Sequence, residues 1–257
     1  MIYAAPHPAF PEPEDKETLL WRYQDFSKFE WLASEKRLFM PNAASLGDPL
    51  EGTQPPGYDN WWTSIAESAA TAAERETIEH NRDLIIRFAA AFRTRYYVSC
   101  WHMNPAENRE MWGKYTTSPD SVAIQTTYKK LRAGLQPYVG MGMVRYIDYS
   151  IDRLPTLNMF EYITHKNQYF KYENELRAVA MHPVIEGLDK KHFQESHYQS
   201  EGTPSLIVYA PPIDLEMIES VVLHPDATPD FSAKVASLCK ESGMPTPKKS
   251  TMKSTDI

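Results

Sequence analysis

The segment Tyr172-Glu173-Asn174-Glu175-Leu176-Arg177 holds the side chains best suited to chemistry in this sequence. In a β-strand, residues two apart share a face, so Glu173, Glu175 and Arg177 would point the same way. Two carboxylates about 7 Å apart repel each other when desolvated, and the pKa of one should rise. Such a pair suits general acid/base catalysis or stabilisation of a cationic transition state. Arg177 could keep one carboxylate ionised or bind a phosphate.

The same three charges have a second interpretation. Charged residues on one strand face are also typical of a solvent-exposed surface with cross-strand ion pairs. Two hypotheses therefore stay open for this strand, which is either the wall of a ligand-binding cleft or an exposed face without a ligand.

A Glu-x-Glu strand is also how ADP-ribosyltransferases place their catalytic carboxylate. Breaking the nicotinamide–ribose bond of NAD builds oxocarbenium character, which a nearby carboxylate stabilises, as in glycoside cleavage. These enzymes also use an Arg or His on an early strand and a small hydroxyl residue on a middle strand, and Arg22 and Ser99 occupy those places here. The analogy assigns Glu175 as the catalytic carboxylate and Glu173 as the residue that orients the nucleophile. Arg22 would bind the phosphates, and Ser99 would shape the pocket. It is an analogy of layout, not a sequence match.

A cysteine and a histidine give an alternative centre. Cys100 and His102 share a face if their strand is extended, and they could act as nucleophile and base, with Glu51 or Glu173 orienting the imidazole. Buried cysteines are usually inert, however, and parallel side chains two residues apart are poorly placed for proton transfer.

Ring side chains and acidic turn residues are two further candidate groups. Trp101, Trp112 and Tyr115 could stack on a base, and Trp101 is assigned to the cofactor site, although aromatic residues at this spacing are more often core. Asp48 and Glu51 could bind a metal, but no accompanying cluster of ligands supports this, and no metal is predicted.

Composition excludes several classes of protein. The chain has 257 residues, a net charge of −7 and a pI near 5.6, which argues against a general nucleic-acid-binding surface. Two cysteines are too few for a disulfide scaffold. The N-terminus lacks the apolar core of a signal peptide, and no apolar run approaches the ~20 residues that cross a bilayer. We expect a cytoplasmic protein without a membrane partner.

Hydrophobic patterning predicts an α+β fold. The helical patterns and strands alternate irregularly, which favours a mixed, largely antiparallel sheet with peripheral helices in a single domain, residues 18–243. Residues 1–17 and 244–257 are rich in proline or in small polar residues, and we expect both to be disordered. Residues 60–95 should form two helices or one kinked helix, with Ser64 and Glu67 as a capping box and Asn81 as a second cap. The predicted strands are 19–23, 96–101, 121–125, 143–149, 173–181, 206–210 and 221–223.

Four sequence blocks occur in order over about residues 19–225. They are Trp21-Arg22-Tyr23 with Gly47-Asp48-Pro49-Leu50-Glu51; Val98 to Asn104 with Met111-Trp112 and Tyr115; Val122 to Tyr128; and Lys166, Phe170, Glu173, Glu175 and Arg177, with Ala178-Val179 after them. Together these blocks resemble the family called domain of unknown function 2971. The family usually has Asn where this chain has Gly47, and it pairs Lys with Arg where this chain has Lys166-Asn167.

The resemblance implies no settled reaction, and some relatives are associated with phage defence or abortive infection. Two hypotheses follow. The first is an ADP-ribosyltransferase-like enzyme that uses NAD as substrate, in a defence or toxin context, with Glu175 and Glu173 as catalytic residues and Arg22, Ser99, Arg177 and Trp101 binding the dinucleotide. The second is a non-catalytic module that senses a nucleotide or a protein in a phage-defence system.

Overall fold

The computed structural model describes residues 7–156, 158–181, 193–195 and 207–252. Helices and strands alternate along this part of the chain. In chain order the strands are β1 (Leu19–Asp25), β2 (Met40–Pro41), β3 (Tyr96–Met103), β4 (Ser121–Thr127), β5 (Gly140–Met143), β6 (Arg145–Ile147), β7 (His165–Asn167), β8 (Glu175–Met181), β9 (Phe193–Glu195), β10 (Ile207–Tyr209), β11 (Ser220–Leu223) and β12 (Lys248–Lys249). The helices are α1 (Phe26–Glu35), α2 (Tyr58–Glu67), α3 (Ala72–Arg93), α4 (Arg109–Tyr115), α5 (Tyr128–Gly134), α6 (Glu161–Thr164) and α7 (Pro229–Ser242).

The main sheet has the strand order β12-β11-β4-β1-β3-β8-β5, and every pairing except β11–β12 is antiparallel. Small sheets β2-β10-β9 and β6-β7 lie beside it. The prediction of an α+β fold with a largely antiparallel sheet is confirmed. Within the described residues, no helix has the length and apolar character needed to span a membrane.

Strands β1 and β3 separate along most of their length. β1 pairs with β4 over all seven of its residues, and β3 pairs with β8 over seven residues. Between β1 and β3, by contrast, only Leu20↔Met103 and Trp21↔His102 are paired among the described residues. The sheet is therefore open beyond Trp21, between Arg22 on one strand and Trp101 on the other.

Alternation along β1 places its side chains in two different cores. Leu20 packs with α1 and α7 on one face, whereas Trp21 and Tyr23 pack against Trp112 of α4 on the other. Arg22 and the buried Gln24 have the parity of Leu20, so this face of β1 changes from apolar to polar at the point where the sheet opens.

The helical region 60–95 is two helices, α2 and α3, as one of the two predicted alternatives had it. The predicted caps are wrong, since Ser64 and Asn81 both lie inside helices. The cap of α3 is Thr71, whose hydroxyl accepts from the backbone N–H of Glu74, while the Glu74 carboxylate accepts from the N–H of Ala70. This arrangement resembles a capping box, except that Glu74 accepts from the residue before the N-cap rather than from Thr71 itself.

The N-terminal segment is packed, and the prediction that residues 1–17 are disordered is wrong for residues 7–17; residues 1–6 lie outside the described residues. Phe10 is 4% exposed and lies across the glycines of β5. The carbonyl of Pro11 accepts a hydrogen bond from the N–H of Met143 at 2.8 Å. The segment therefore covers the outer strand of the sheet.

The C-terminal segment is also ordered over residues 244–252, which corrects the predicted tail; residues 253–257 lie outside the described residues. β12 pairs with β11 in parallel. Beyond it, Ser250 and Thr251 donate to the buried carboxylate of Glu107 at 2.5 and 3.1 Å. Glu107 also accepts from the indole N–H of Trp112, so the tail is tied to α4.

Gly142 gives a direct test of the packed N-terminus. A Cβ on Gly142 would meet the backbone Cα and C of Phe10 at 2.5 Å. We expect Gly142→Ala to lower the free energy of unfolding by about 1–3 kcal/mol, because backbone cannot rotate out of the way. The matched control is Gly113→Ala in α4, where a Cβ meets nothing within 4 Å and should stabilise by about 0.5–1 kcal/mol. Equal stability changes in urea denaturation would contradict this packing.

Candidate functional site

A cavity of about 220 Å³ lies where β1 and β3 separate. The structure brings four of the six predicted site residues to its wall, namely Arg22, Trp101, Glu173 and Glu175. The other two, Ser99 and Arg177, are buried behind the wall at 1% and 0% exposure. The exposed-surface hypothesis is wrong, since Glu173 and Glu175 are 6% and 3% exposed and line the cavity, whereas ligand binding there stays a prediction.

The two glutamates meet for a different reason from the one predicted. The predicted strand 173–181 begins at Glu175, because Glu173 ends a 3₁₀ helix (Gln168–Glu173) and Asn174 is left-handed with φ 38°. Strand alternation therefore does not relate Glu173 to Glu175. The predicted strand 143–149 is likewise shorter, and only Arg145–Ile147 is extended after β5.

Lys166 joins the two carboxylates. Its Nζ donates to Oε2 of Glu173 at 2.5 Å and lies 3.5 Å from Oε2 of Glu175. Burial disfavours the charged ammonium, but Glu175 and Glu173 outweigh that effect and raise the pKa of Lys166. Lys166 was predicted only as a member of a family block and not as a site residue. No periodicity relates a lysine to glutamates seven and nine residues further on.

Arg177 holds Glu175 from behind the cavity. Its Nε and Nη2 donate to the two oxygens of Glu175 at 2.5 and 2.9 Å, and Nη1 donates to the carbonyl of Ile163 at 2.8 Å. Nη2 also contacts the carboxylate of Glu51. The prediction that Arg177 binds a phosphate is not supported, because protein acceptors occupy its donors and none of the side chain is exposed.

Glu51 enters the same cluster from the turn that begins at Asp48. Its side chain is 2% exposed and lies 3.9 Å from Lys166 as well as against Arg177. Arg93 at the end of α3 donates to the backbone carbonyls of Asp48 and Glu51 at 2.8 Å each, which fixes the turn. Glu51 therefore neither orients His102 nor faces an open cation site, and it is an ion-pair partner of Arg177.

The cluster has more acids than bases. Glu51, Glu173 and Glu175 face two cations, Lys166 and Arg177. Burial, opposed by Lys166 and reinforced by Glu173, raises the pKa of Glu175 to about 7. Close to neutral pH the cluster therefore exchanges a proton and, when fully ionised, carries one surplus negative charge towards the cavity.

Tyr115 closes the side of the cavity next to Glu173. Its hydroxyl donates to Oε1 of Glu173 at 2.6 Å, whereas its ring is 42% exposed. Burial of the hydroxyl and the charge of Glu173 raise the pKa of Tyr115, so it stays a donor. Tyr115 was expected to stack on a base or to join the core, and its hydrogen bond to Glu173 was missed.

Arg22, Ser99 and Trp101 form one hydrogen-bonded unit on the opposite wall. The Ser99 hydroxyl accepts from Nη1 of Arg22 at 3.2 Å and from Nε1 of Trp101 at 3.0 Å. Nη2 of Arg22 donates to the carbonyl of Phe39 at 3.2 Å, and the guanidinium lies 5.9 Å from the Trp101 ring. Ser99 thus orients Arg22 and Trp101. The exposed Lys28 also lines this wall. It was not predicted as a site residue.

His102 and Cys100 line the cavity between the two walls. Nδ1 of His102 donates to the carbonyl of Glu173 at 2.6 Å, which leaves Nε2 as the acceptor. Nε2 is buried without a hydrogen-bond partner among the described residues, and burial lowers the imidazole pKa, so the ring is neutral at pH 7. Burial and Glu175 raise the pKa of Cys100, which therefore is a thiol rather than a nucleophilic thiolate.

The chain matches no family model, no curated protein and no solved structure. The resemblance to the family called domain of unknown function 2971 therefore stays a prediction. Residues of three of its four blocks nevertheless lie close together, since Arg22, Glu51, Trp101, Tyr115 and Glu173 all belong to the cavity or to the cluster behind it.

Proposed function

We propose that this protein binds NAD in the cavity and transfers its ADP-ribosyl group, breaking the bond between nicotinamide and ribose. The observation that carries the proposal is the separation of charge along the cavity. Glu173 and Glu175 provide surplus negative charge at one end. Arg22 and Lys28 extend into an adjoining depression that the carboxylates do not reach. NAD has the same polarity, with a cationic pyridinium ring and an anionic pyrophosphate.

The size of the cavity fits one half of NAD. A volume of about 220 Å³ is below the roughly 300–1,000 Å³ typical of sites that enclose a drug-sized ligand. We therefore place the nicotinamide and its ribose inside, with the ring beside Trp101, and the pyrophosphate at Arg22 and Lys28. The adenosine then lies over the depression lined by Trp31 and Phe39.

The residues of the cluster supply the chemistry of bond cleavage. As the C1′–N bond breaks, nicotinamide leaves with the bonding electron pair, and positive charge develops on the ribose. Glu175 stabilises that charge, and Arg177 and Lys166 hold its carboxylate in place. An acceptor O–H or N–H then forms the new bond to C1′, and its proton is released to solvent. Glu173, which the Tyr115 hydroxyl and Lys166 fix, orients that acceptor.

One observation favours a second candidate, a nucleotide- or protein-sensing module of a phage-defence system that turns nothing over. The carboxylate oxygens of Glu173 and Glu175 already accept from Tyr115, Lys166 and Arg177. Carboxylates held this way can form a rigid recognition surface without taking part in a reaction.

NAD and NADH distinguish the two candidates, because NADH has the same phosphates but no pyridinium charge. We expect NAD to raise the melting temperature and to release nicotinamide when a cell extract supplies acceptors. NADH should bind at least about tenfold more weakly than NAD, and it should stay intact. A thermal shift with NAD and no nicotinamide release would favour the sensing module. No shift with NAD, or equal shifts with both, would overturn the proposal.

A further inference from the structure

Helix α3 exposes most of its surface. Of its 22 residues, all of which the structure describes, only Ala89 is buried. The inward face packs on α2 and the loop before α6 through Ile78, Ile85 and Ala89. Large apolar side chains on the other side of the helix are exposed, with Phe88 at 54% and Leu84 at 45%.

Three of the exposed apolar residues form one stripe, whereas the exposed Ile86 (40%) lies outside it. Leu84, Phe88 and Ala91 are spaced by four and three residues, so they lie one above another on the helix. Thr77 and Arg95 continue the same line at the two ends, and both are exposed. Phe88 also stacks on Phe92 with ring centroids 5.3 Å apart, which holds its ring in place. Contiguous apolar surface of this kind typically marks an interaction site.

The charges of α3 are divided between its two halves. The first half, residues 72–81, carries three acids and one arginine, and the exposed Glu76 is among these acids. The second half, residues 82–93, carries three arginines and one acid, Asp83, so it is basic on balance, and the exposed Arg95 follows the end of the helix. A helix with an acidic first half and a basic second half is complementary to a reversed copy of itself.

We propose that the stripe Leu84–Phe88–Ala91 is the contact by which two copies of this chain form a symmetric dimer, with their α3 helices antiparallel. A two-fold interface brings the same patch of both subunits together. With Leu84 of one copy opposite Phe88 of the other, Thr77 lies opposite Arg95, and Arg95 reaches Glu76 of the other copy. The apolar stripe is then covered, and acidic and basic halves alternate across the interface. This inference is independent of the proposed reaction.

Sedimentation equilibrium of the full chain tests the dimer. We expect the wild type to dimerise reversibly and Phe88→Glu to be monomeric. The matched control is Ile151→Glu, which puts the same charge on a side chain that is 70% exposed in a loop and should leave the dimer unchanged. Because Phe88 is exposed, the circular dichroism spectrum of the variant should match that of the wild type, and so should its melting temperature at concentrations where the wild type is monomeric. A wild type that is monomeric at its highest soluble concentration, or a Phe88→Glu variant that still dimerises, overturns the proposal.

Charge exchange tests the antiparallel register. Arg95→Glu and Glu76→Arg should each weaken the dimer by about tenfold or more, because each places like charges together. The double variant restores opposite charges and should recover most of the affinity. If the affinity losses of the two single variants simply add in the double variant, this register is wrong.

Discussion

Replacing Arg177 with Met should lower the free energy of unfolding by about 3–5 kcal/mol, because the change leaves three buried carboxylates to share one cation, Lys166. The guanidinium has no exposed surface and contacts Glu175 through two nitrogens as well as Glu51. Methionine approximates the unbranched length of the arginine stem, so loss of charge dominates over loss of volume. Urea denaturation followed by far-ultraviolet circular dichroism measures the change.

Two further variants separate the buried ion pairs from a general effect of removing an arginine. Arg82→Met removes a cation whose partner is the exposed Asp83. The side chains of Arg82 and Asp83 are 41% and 52% exposed, so we expect the free energy of unfolding to fall by at most about 1 kcal/mol. Adding Glu51→Gln and Glu175→Gln to Arg177→Met removes the unpaired charges and should recover part of the stability. An Arg177→Met variant as stable as Arg82→Met would rule out this account of the cluster.

Glu175→Gln should lower the rate of nicotinamide release from NAD by about 10²–10³-fold, which is the usual effect of removing one group that stabilises transition-state charge. The amide keeps the size of the carboxylate and can still accept from Arg177, but it cannot balance positive charge on the ribose. Release of nicotinamide under saturating NAD is the measurement, since it reports the cleavage step rather than binding alone.

Glu161→Gln is the control for this substitution. Glu161 is a buried carboxylate, 4% exposed, that lies outside the cavity and accepts from the backbone of Thr156. Its variant should retain the wild-type rate. Melting temperatures of both variants show whether a lost rate reflects unfolding. A folded Glu175→Gln variant with an unchanged rate excludes Glu175 as the catalytic carboxylate.

The sequence predicts those parts of the fold that depend on local patterns. Strands β1 and β3 and the antiparallel character of the sheet follow from hydrophobic patterning and from the irregular order of helices and strands. The helix caps predicted at Ser64 and Asn81 were wrong. Both residues have side chains that suit an N-cap, but they lie inside helices whose apolar stripes continue past them. The packed position of Phe10 depends on two glycines about 130 residues away, and no local pattern reveals that contact.

The site shows the same division. Alternation suggested that Glu173 and Glu175 lie together, and they do, but Asn174 breaks the strand between them. Its left-handed backbone is supported by a side-chain hydrogen bond to the carbonyl of Met103 at 2.6 Å, a contact between distant segments. The pairing of Arg177 with Glu51 spans 126 residues. A single sequence shows which residues are charged, but not which distant partner each one finds.

The narrow connection between β1 and β3 also has a mechanical consequence. Two residue pairs join β1 to β3. By contrast, seven pairs join β1 to β4 in one half of the main sheet, and seven pairs join β3 to β8 in the other half. The edge pairing β11–β12 also has two positions, but β1–β3 lies in the interior of the sheet, so it is the narrowest connection between two multi-stranded parts. We expect any widening of the cavity to occur at this seam, because the strand pairings inside both halves can stay intact.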